Sequence, residues 1–200
     1  INAMQDMILA EIADEPVAVE RIPGRDGLGD CAVLHAGADN DRPAILVVTH
    51  VDTVHPVGTL AGALPVRRDG DRLYGPGAYD MKGGIYLALM AFRDVARLGA
   101  ATGRPIRFLL SPDEEIGSPT TRTLVEDLGR RSSHVLVMEP ARPGGAAVTA
   151  RKGVGWFDVE VEGIAQHHAE GKNRGDGIGE AFSGDVRRAA VHRVIDARCA

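Results

Sequence analysis

Ala44-Ile45-Leu46-Val47-Val48-Thr49-His50-Val51-Asp52 is the stretch that decides the fold. Its apolar run behind Pro43 leaves no polar side for water, so it reads as a strand buried on both faces, the middle of a helix-covered sheet. Two further runs, Ile106-Arg107-Phe108-Leu109-Leu110 and Val135-Leu136-Val137-Met138, read as buried strands of the same kind. Two helical patterns lie between them. Lys82 to Leu98 sets Ile85, Leu89, Phe92 and Val95 on one stripe. Ser118-Pro119 opens the other with an N-cap and a first-turn proline; Leu124, Val125 and Leu128 form its stripe and Gly129 stops it. Strand, helix, strand, helix, strand predicts an α/β fold, a doubly wound mixed sheet with helices on both faces.

Upstream, Met4, Met7, Ile8 and Ile12 fall at helical spacing, and Val17-Ala18-Val19 and Cys31-Ala32-Val33-Leu34 read as short strands about a turn at Gly24 to Gly29. Downstream, Trp156 to Val161 alternates apolar and acidic residues, the pattern of an antiparallel strand wet on one side. That change of pattern divides the chain into a first domain over residues 1–152 and the beginning of a second over 153–200.

The composition narrows the function classes. Of 200 residues, 44% are apolar and 26% charged, a balance that argues against a disordered or fibrous chain. A net charge of −5 without a dense Lys/Arg block disfavours a nucleic-acid or anionic-membrane partner. No apolar run is long enough to span a membrane and the start has no signal-peptide pattern, so a cytoplasmic location is expected. Two cysteines, Cys31 and Cys199, cannot supply a disulfide framework or a Cys-based zinc site. A metal would therefore be held by histidines and carboxylates.

Those residue types stand at the strand ends. The three runs lead into His50-Val51-Asp52, Asp113-Glu114-Glu115 and Glu139, while Asp80 sits in the loop Gly75-Pro76-Gly77-Ala78-Tyr79-Asp80-Met81-Lys82-Gly83-Gly84 that feeds a helix. Polar groups gather beyond the carboxyl ends of the strands in such sheets. Taken singly, each acid reads as a solvated loop residue or helix cap, and His50 as a satisfied core histidine. Together, His50, Asp80, Glu115 and Glu139 would converge on one sheet edge. Like-charge repulsion and desolvation would then cost several kcal/mol unless one or two divalent cations offset them. One imidazole with three carboxylates and no thiolate suits zinc, manganese or cobalt. Asp52, two residues beyond His50 on the same strand face, is placed to accept the ring N–H and set its tautomer.

His50-Val51-Asp52-Thr53-Val54, the Gly75 to Gly84 loop, Asp113-Glu114-Glu115-Ile116-Gly117-Ser118 and Glu139-Pro140 resemble, in order, the signatures of the M20 family of dinuclear zinc peptidases, nearest the carboxypeptidase G type glutamate carboxypeptidases. The resemblance covers roughly residues 43–169. It implies a zinc-exopeptidase-like sheet followed by a small α+β lid domain. It implies that Asp80 bridges two zinc ions, that His50 and Glu139 complete one metal and that Glu115 binds the other. Glu114 would be the general base, Asp52 the partner of His50, and the peptide after Asp80 cis. The segment Glu162 to Ala169 resembles the start of the lid, where a histidine, often across a dimer interface, meets the oxyanion. Counting from Gly163 selects His167 and the His-Ala pair selects His168, the preferred assignment; Glu170 stands where the family has glycine.

The implied reaction is hydrolysis of a peptide or amide bond in a small carboxylate-bearing substrate such as a C-terminal glutamate conjugate. N-acyl amino acid deacylation, dipeptide hydrolysis and an inactive fragment that only binds metal or a partner are the alternatives, and a homodimer through the lid is implied. From about residue 174 the chain departs from the family: residues 171–200 hold five Gly and five Arg and no sustained periodicity. One codon set for Arg174 to Glu180, read one base later, gives Ala-Val-Met-Glu-Leu-Ala, a helix start, so a frameshifted tail is an expectation. The family's last metal ligand, a histidine of the C-terminal half, has no counterpart here, and His192 lies in unlike surroundings. The chain is expected to be a truncated, internal piece of a longer enzyme.

Overall fold

The structure is a computed structural model that describes residues 1–150, 153–155 and 195–197. Two compact units result, Ile1–Ala141 and Arg142–Ala200. In chain order the first contains α1 (Asn2–Ala10), β1 (Ala18–Ile22), β2 (Cys31–Gly37), β3 (Ala44–His50), β4 (Arg67–Asp69), β5 (Arg72–Tyr74), α2 (Gly83–Ala96), β6 (Pro105–Ser111), α3 (Arg122–Arg130) and β7 (Ser132–Val137). In the second, β8 (Gly153–Gly155) pairs antiparallel with β9 (Ile195–Ala197). The strand expected at Trp156 to Val161, His167, His168, His192 and nearly all of the tail from 174 lie outside the described residues.

The main sheet runs β1-β2-β6-β3-β7. β3 is parallel to β6 and β7, whereas β2 is antiparallel to β1 and β6, so the sheet is mixed as expected. Strand alternation sorts the core into two layers. Ala32, Leu34, Val47, Ile106, Phe108 and Leu110 pack with Ile8 of α1 and with Ile85, Leu89 and Phe92 of α2. Their neighbours Cys31, Val33, Leu46 and Leu109 pack on the other face against Leu128 of α3. The Phe92 and Phe108 rings meet edge-on, with centroids 5.5 Å apart at 64°, which docks α2 on β6. Phe108, Leu109 and Leu110 are all sealed from solvent. Burying each is worth roughly 1.5–3 kcal/mol. A one-residue slip of β6 would therefore exchange two packed layers, which makes its register the most strongly determined in the sheet.

Three expectations need correction. Val135, Leu136 and Val137 are not a doubly buried run: they are 45%, 50% and 58% exposed, because β7 is the outermost strand of this sheet among the described residues. The helix expected from Ser118-Pro119 starts only at Arg122, and Ser118 has φ 55°. The side chain of Asp113 explains the delay, since it holds Thr120 and Thr121 in a turn. Gly129 does not stop the helix either, which runs on to Arg130, whose guanidinium pairs with Glu126 and Asp127 at 2.8 Å each. A glycine in a last turn costs only about 1 kcal/mol relative to alanine.

A candidate metal centre at the carboxyl ends of β3, β6 and β7

His50 is the last residue of β3 and is 2% exposed. Its backbone N–H donates to the thioether of Met81 at 3.2 Å, which ties the strand end to the loop carrying Asp80. Beyond it, Val51 N–H donates to Ser111 O at 2.9 Å and Met138 N–H donates to Val48 O at 3.1 Å. These bonds carry the β3 pairing past the strand ends and bring the segments bearing Asp113–Glu115 and Glu139 alongside His50.

Around the imidazole the acids converge. Nε2 of His50 lies 3.2 Å from Asp80 Oδ1, 3.2 Å from Glu139 Oε1 and 3.9 Å from Glu114 Oε2. Ligand-type atoms of His50, Asp80 and Glu139 all fall within 4.8 Å of one another. Donors held about 2.1 Å from a tetrahedral ion stand about 3.4 Å apart, so the separations from Nε2 suit a zinc-sized cation. The second ring nitrogen, Nδ1, lies 3.2 Å from the backbone O of Asp52 and 3.3 Å from its Oδ1. The hydrogen bond expected to reach the Asp52 carboxylate goes instead to the carbonyl of the same residue, and Oδ1, though close, is left without a hydrogen-bond partner among the described residues. Asp52 Oδ2 accepts the backbone N–H of Glu115 at 2.9 Å, so one residue braces both the imidazole and the turn Glu114–Ile116.

Burial is the largest influence on the His50 ring and disfavours its charged form, but the Asp52 hydrogen bond and the charges of Glu139, Asp52 and Glu114 outweigh it and push the pKa up to about 9. Asp52 is held below its ordinary value: burial opposes this, and the His50 bond and the Glu115 N–H prevail. Burial raises Glu114, and the charges of Glu115, Asp52 and Asp80 add to it. Glu139 is raised by burial and by Asp80, against the attraction of His50.

The Asp80–Met81 peptide is cis. Gly77 shapes this loop: with φ 67° it adopts the left-handed region, and a Cβ there would strike Lys82 Nζ and the Thr53 methyl. Glu115 shares a small cleft with Asp80, together with Thr53, His55, Gly77 and Tyr79. It is not part of the tight His50–Asp80–Glu139 group. Lys82, to which the sequence reading gave no role, brings a half-buried ammonium among these acids. Burial lowers its pKa while Asp52, Glu115 and Asp80 oppose that. The signal was its place two residues after Asp80.

Asp113 belongs to the scaffold. It is 1% exposed and accepts Thr120 N–H and Thr120 Oγ1 at 2.7 Å each, Ser111 Oγ at 3.1 Å, and Thr121 Oγ1. Those bonds fix the backbone from which Glu114 and Glu115 project.

Comparison with known proteins shows the family and the fold. The profile described as peptidase family M20/M25/M40 matches residues 46–193. Carboxypeptidase G2 of Pseudomonas sp. (strain RS-16) is 34% identical over 124 residues, 62% of this chain and 30% of that protein. Acetylornithine deacetylase of Myxococcus xanthus is 36% identical over 136 residues, 68% of this chain and 34% of that protein. Succinyl-diaminopimelate desuccinylase of Rickettsia massiliae is 31% identical over 147 residues, 68% of this chain and 39% of that protein. The chain thus spans about a third of the length of the curated relatives it matches. Human carnosine dipeptidase 1 shares the fold, with a TM-score of 0.54 at 21% identity over 82% of this chain and 38% of that one. With the profile spanning most of its length, this chain belongs to peptidase family M20/M25/M40.

Proposed function

We propose that the protein containing this chain is a metal-dependent hydrolase of peptide or amide bonds in small carboxylate-bearing substrates, of the glutamate carboxypeptidase kind. The observation that carries the reading is the convergence of His50, Asp80 and Glu139 at the sheet's carboxyl edge. These three would hold one zinc ion, and Asp80 with Glu115 the second. When bound, such a pair supplies Lewis acidity for a carbonyl and for an attacking water.

The chain's own residues have separable tasks. His50 is oriented by Asp52, whose carboxylate and carbonyl both face Nδ1. Glu114, about half exposed and with its pKa raised, is suited to take a proton from water and return it to the leaving amine. Asp113 and Asp52 keep the Glu114–Glu115 turn in place, so the base is set by hydrogen bonds at both its flanks. His168, in the proposed lid, would meet the oxyanion. The small dimerisation-capable lid over 153–200 belongs to the same proposal.

A second reading, N-acyl amino acid deacylation, is favoured by the likeness to acetylornithine deacetylase and succinyl-diaminopimelate desuccinylase. The test is turnover of glutamate conjugates, dipeptides and N-acyl amino acids by zinc-loaded protein, with Glu114→Gln alongside. Loss of turnover in that variant at unchanged zinc content supports the assignment. Turnover unaffected by the variant or by chelator removes it.

A further inference from the structure

At the end of the sheet opposite the acids, the loop before β3, the start of β6 and the residue after α3 enclose a second cleft. Asn40, Asp41, Arg42, Pro43, Arg107 and Arg131 line it. Three guanidiniums against one carboxylate make this wall cationic in a chain whose net charge is −5. None of the three arginines forms an ion pair among the described residues, Asp41 included.

Arg107 is the unusual member. It stands in the central strand β6, paired with the part-exposed His35 of β2 and the buried Leu46 of β3, between the core residues Ile106 and Phe108. By strand alternation it shares the face of Leu109, the face that α3 covers. Its Nη1 is sealed from solvent and has no hydrogen-bond partner among the described residues. A buried guanidinium nitrogen left unsatisfied is costly, and such groups ordinarily have a partner. The other two arginines are anchored by part of their donor set only. Arg42 Nη1 donates to Gly103 O at 3.0 Å, and Arg131 Nε donates to Asp127 O at 3.3 Å. Both forks are thus held at the rim by one nitrogen, with donors to spare.

We infer that this cleft is a binding site for a small oxyanion, a phosphate or carboxylate group gripped by Arg107 with Arg42 and Arg131. The planar fork of arginine matches such groups with two parallel hydrogen bonds. The site lies at the amino ends of β3 and β6, away from the proposed hydrolytic centre at their carboxyl ends, so its ligand is not the scissile substrate. It stands independently of the hydrolase reading.

Thermal unfolding of the protein at constant ionic strength tests this, with sodium phosphate, sodium succinate and sodium chloride as the three probes. A saturable rise in midpoint with phosphate or succinate but not chloride is expected, and whichever probe acts identifies the source of the oxyanion. Arg131→Met and Arg42→Met, at exposed positions that leave the core intact, are expected to weaken the half-saturating concentration by tenfold or more; Arg107→Met is expected to abolish saturation. Equal shifts with all three salts, or saturation unchanged in the two rim variants, would overturn the proposal. Should Arg107→Met fail to fold, the rim variants still decide.

Discussion

Nε2 of His50 lies 3.2 Å from Oε1 of Glu139, across the parallel pair formed by β3 and β7. Neither residue has the other near it in sequence, and the contact exists only because Met138 N–H bonds to Val48 O and extends the ladder. If the pair holds a cation with Asp80, removing either donor leaves two ligands. His50→Ala and Glu139→Gln should each weaken zinc binding by about 100-fold or more, beyond the 10–100-fold ordinarily lost with an outer partner. Equilibrium dialysis with metal analysis measures this, and parent-like zinc retention in both variants would discard the centre.

Gly84, in the first turn of α2, packs against the segment carrying Glu139. A Cβ on it would collide with the Met138 carbonyl, backbone that cannot swing aside. Gly84→Ala should therefore cost about 1–3 kcal/mol as overpacking. It should also lower zinc affinity by displacing Glu139. Urea unfolding and dialysis read the two effects, and a variant that is as stable as the parent and binds zinc normally contradicts the placement of Glu139.

Asp113 accepts hydrogen bonds from Ser111, Thr120 and Thr121, and these hold its pKa down although burial pushes it up. Asp113→Ala leaves those donors unpaired in the interior. A loss of about 2–4 kcal/mol is expected in urea unfolding. A loss under about 1 kcal/mol, the range of an ordinary surface change, would show that the network is not formed.

Cys31, in β2, is buried, and that burial, helped by the charges of Asp113 and Glu20, pushes its thiol up to about 12. The unfolded value is about 8.5. Because the folded state keeps the proton longer, the stability linked to this thiol is fully present below about pH 8.5 and is lost as pH rises toward 12. At pH 8 iodoacetamide should modify Cys31 only after unfolding, as peptide mass spectrometry would reveal. Rapid labelling of the native protein would contradict its burial.

Much of the architecture was legible in the chain itself. The apolar run before His50 and the stripe of Ile85, Leu89 and Phe92 specify a buried strand and its covering helix, because periodicity and burial are local consequences of side-chain order. Motif order likewise named His50, Asp80, Glu114, Glu115 and Glu139. What the pattern could not supply was surroundings. Val135 to Val137 are as apolar as any core strand, yet they stand exposed at a sheet edge, since neighbours, not composition, determine burial. Ser118-Pro119 has the letters of a helix start, but three hydrogen bonds to the Asp113 carboxylate hold Thr120 and Thr121 in a turn, and Ser118 N–H donates to the Asp113 carbonyl. The half-buried Lys82 among Asp52, Asp80 and Glu115 and the orphaned nitrogen of Arg107 depend on segments far apart in the chain. Only folding, which brings those segments together and withdraws water from between them, decides which polar groups must answer to one another.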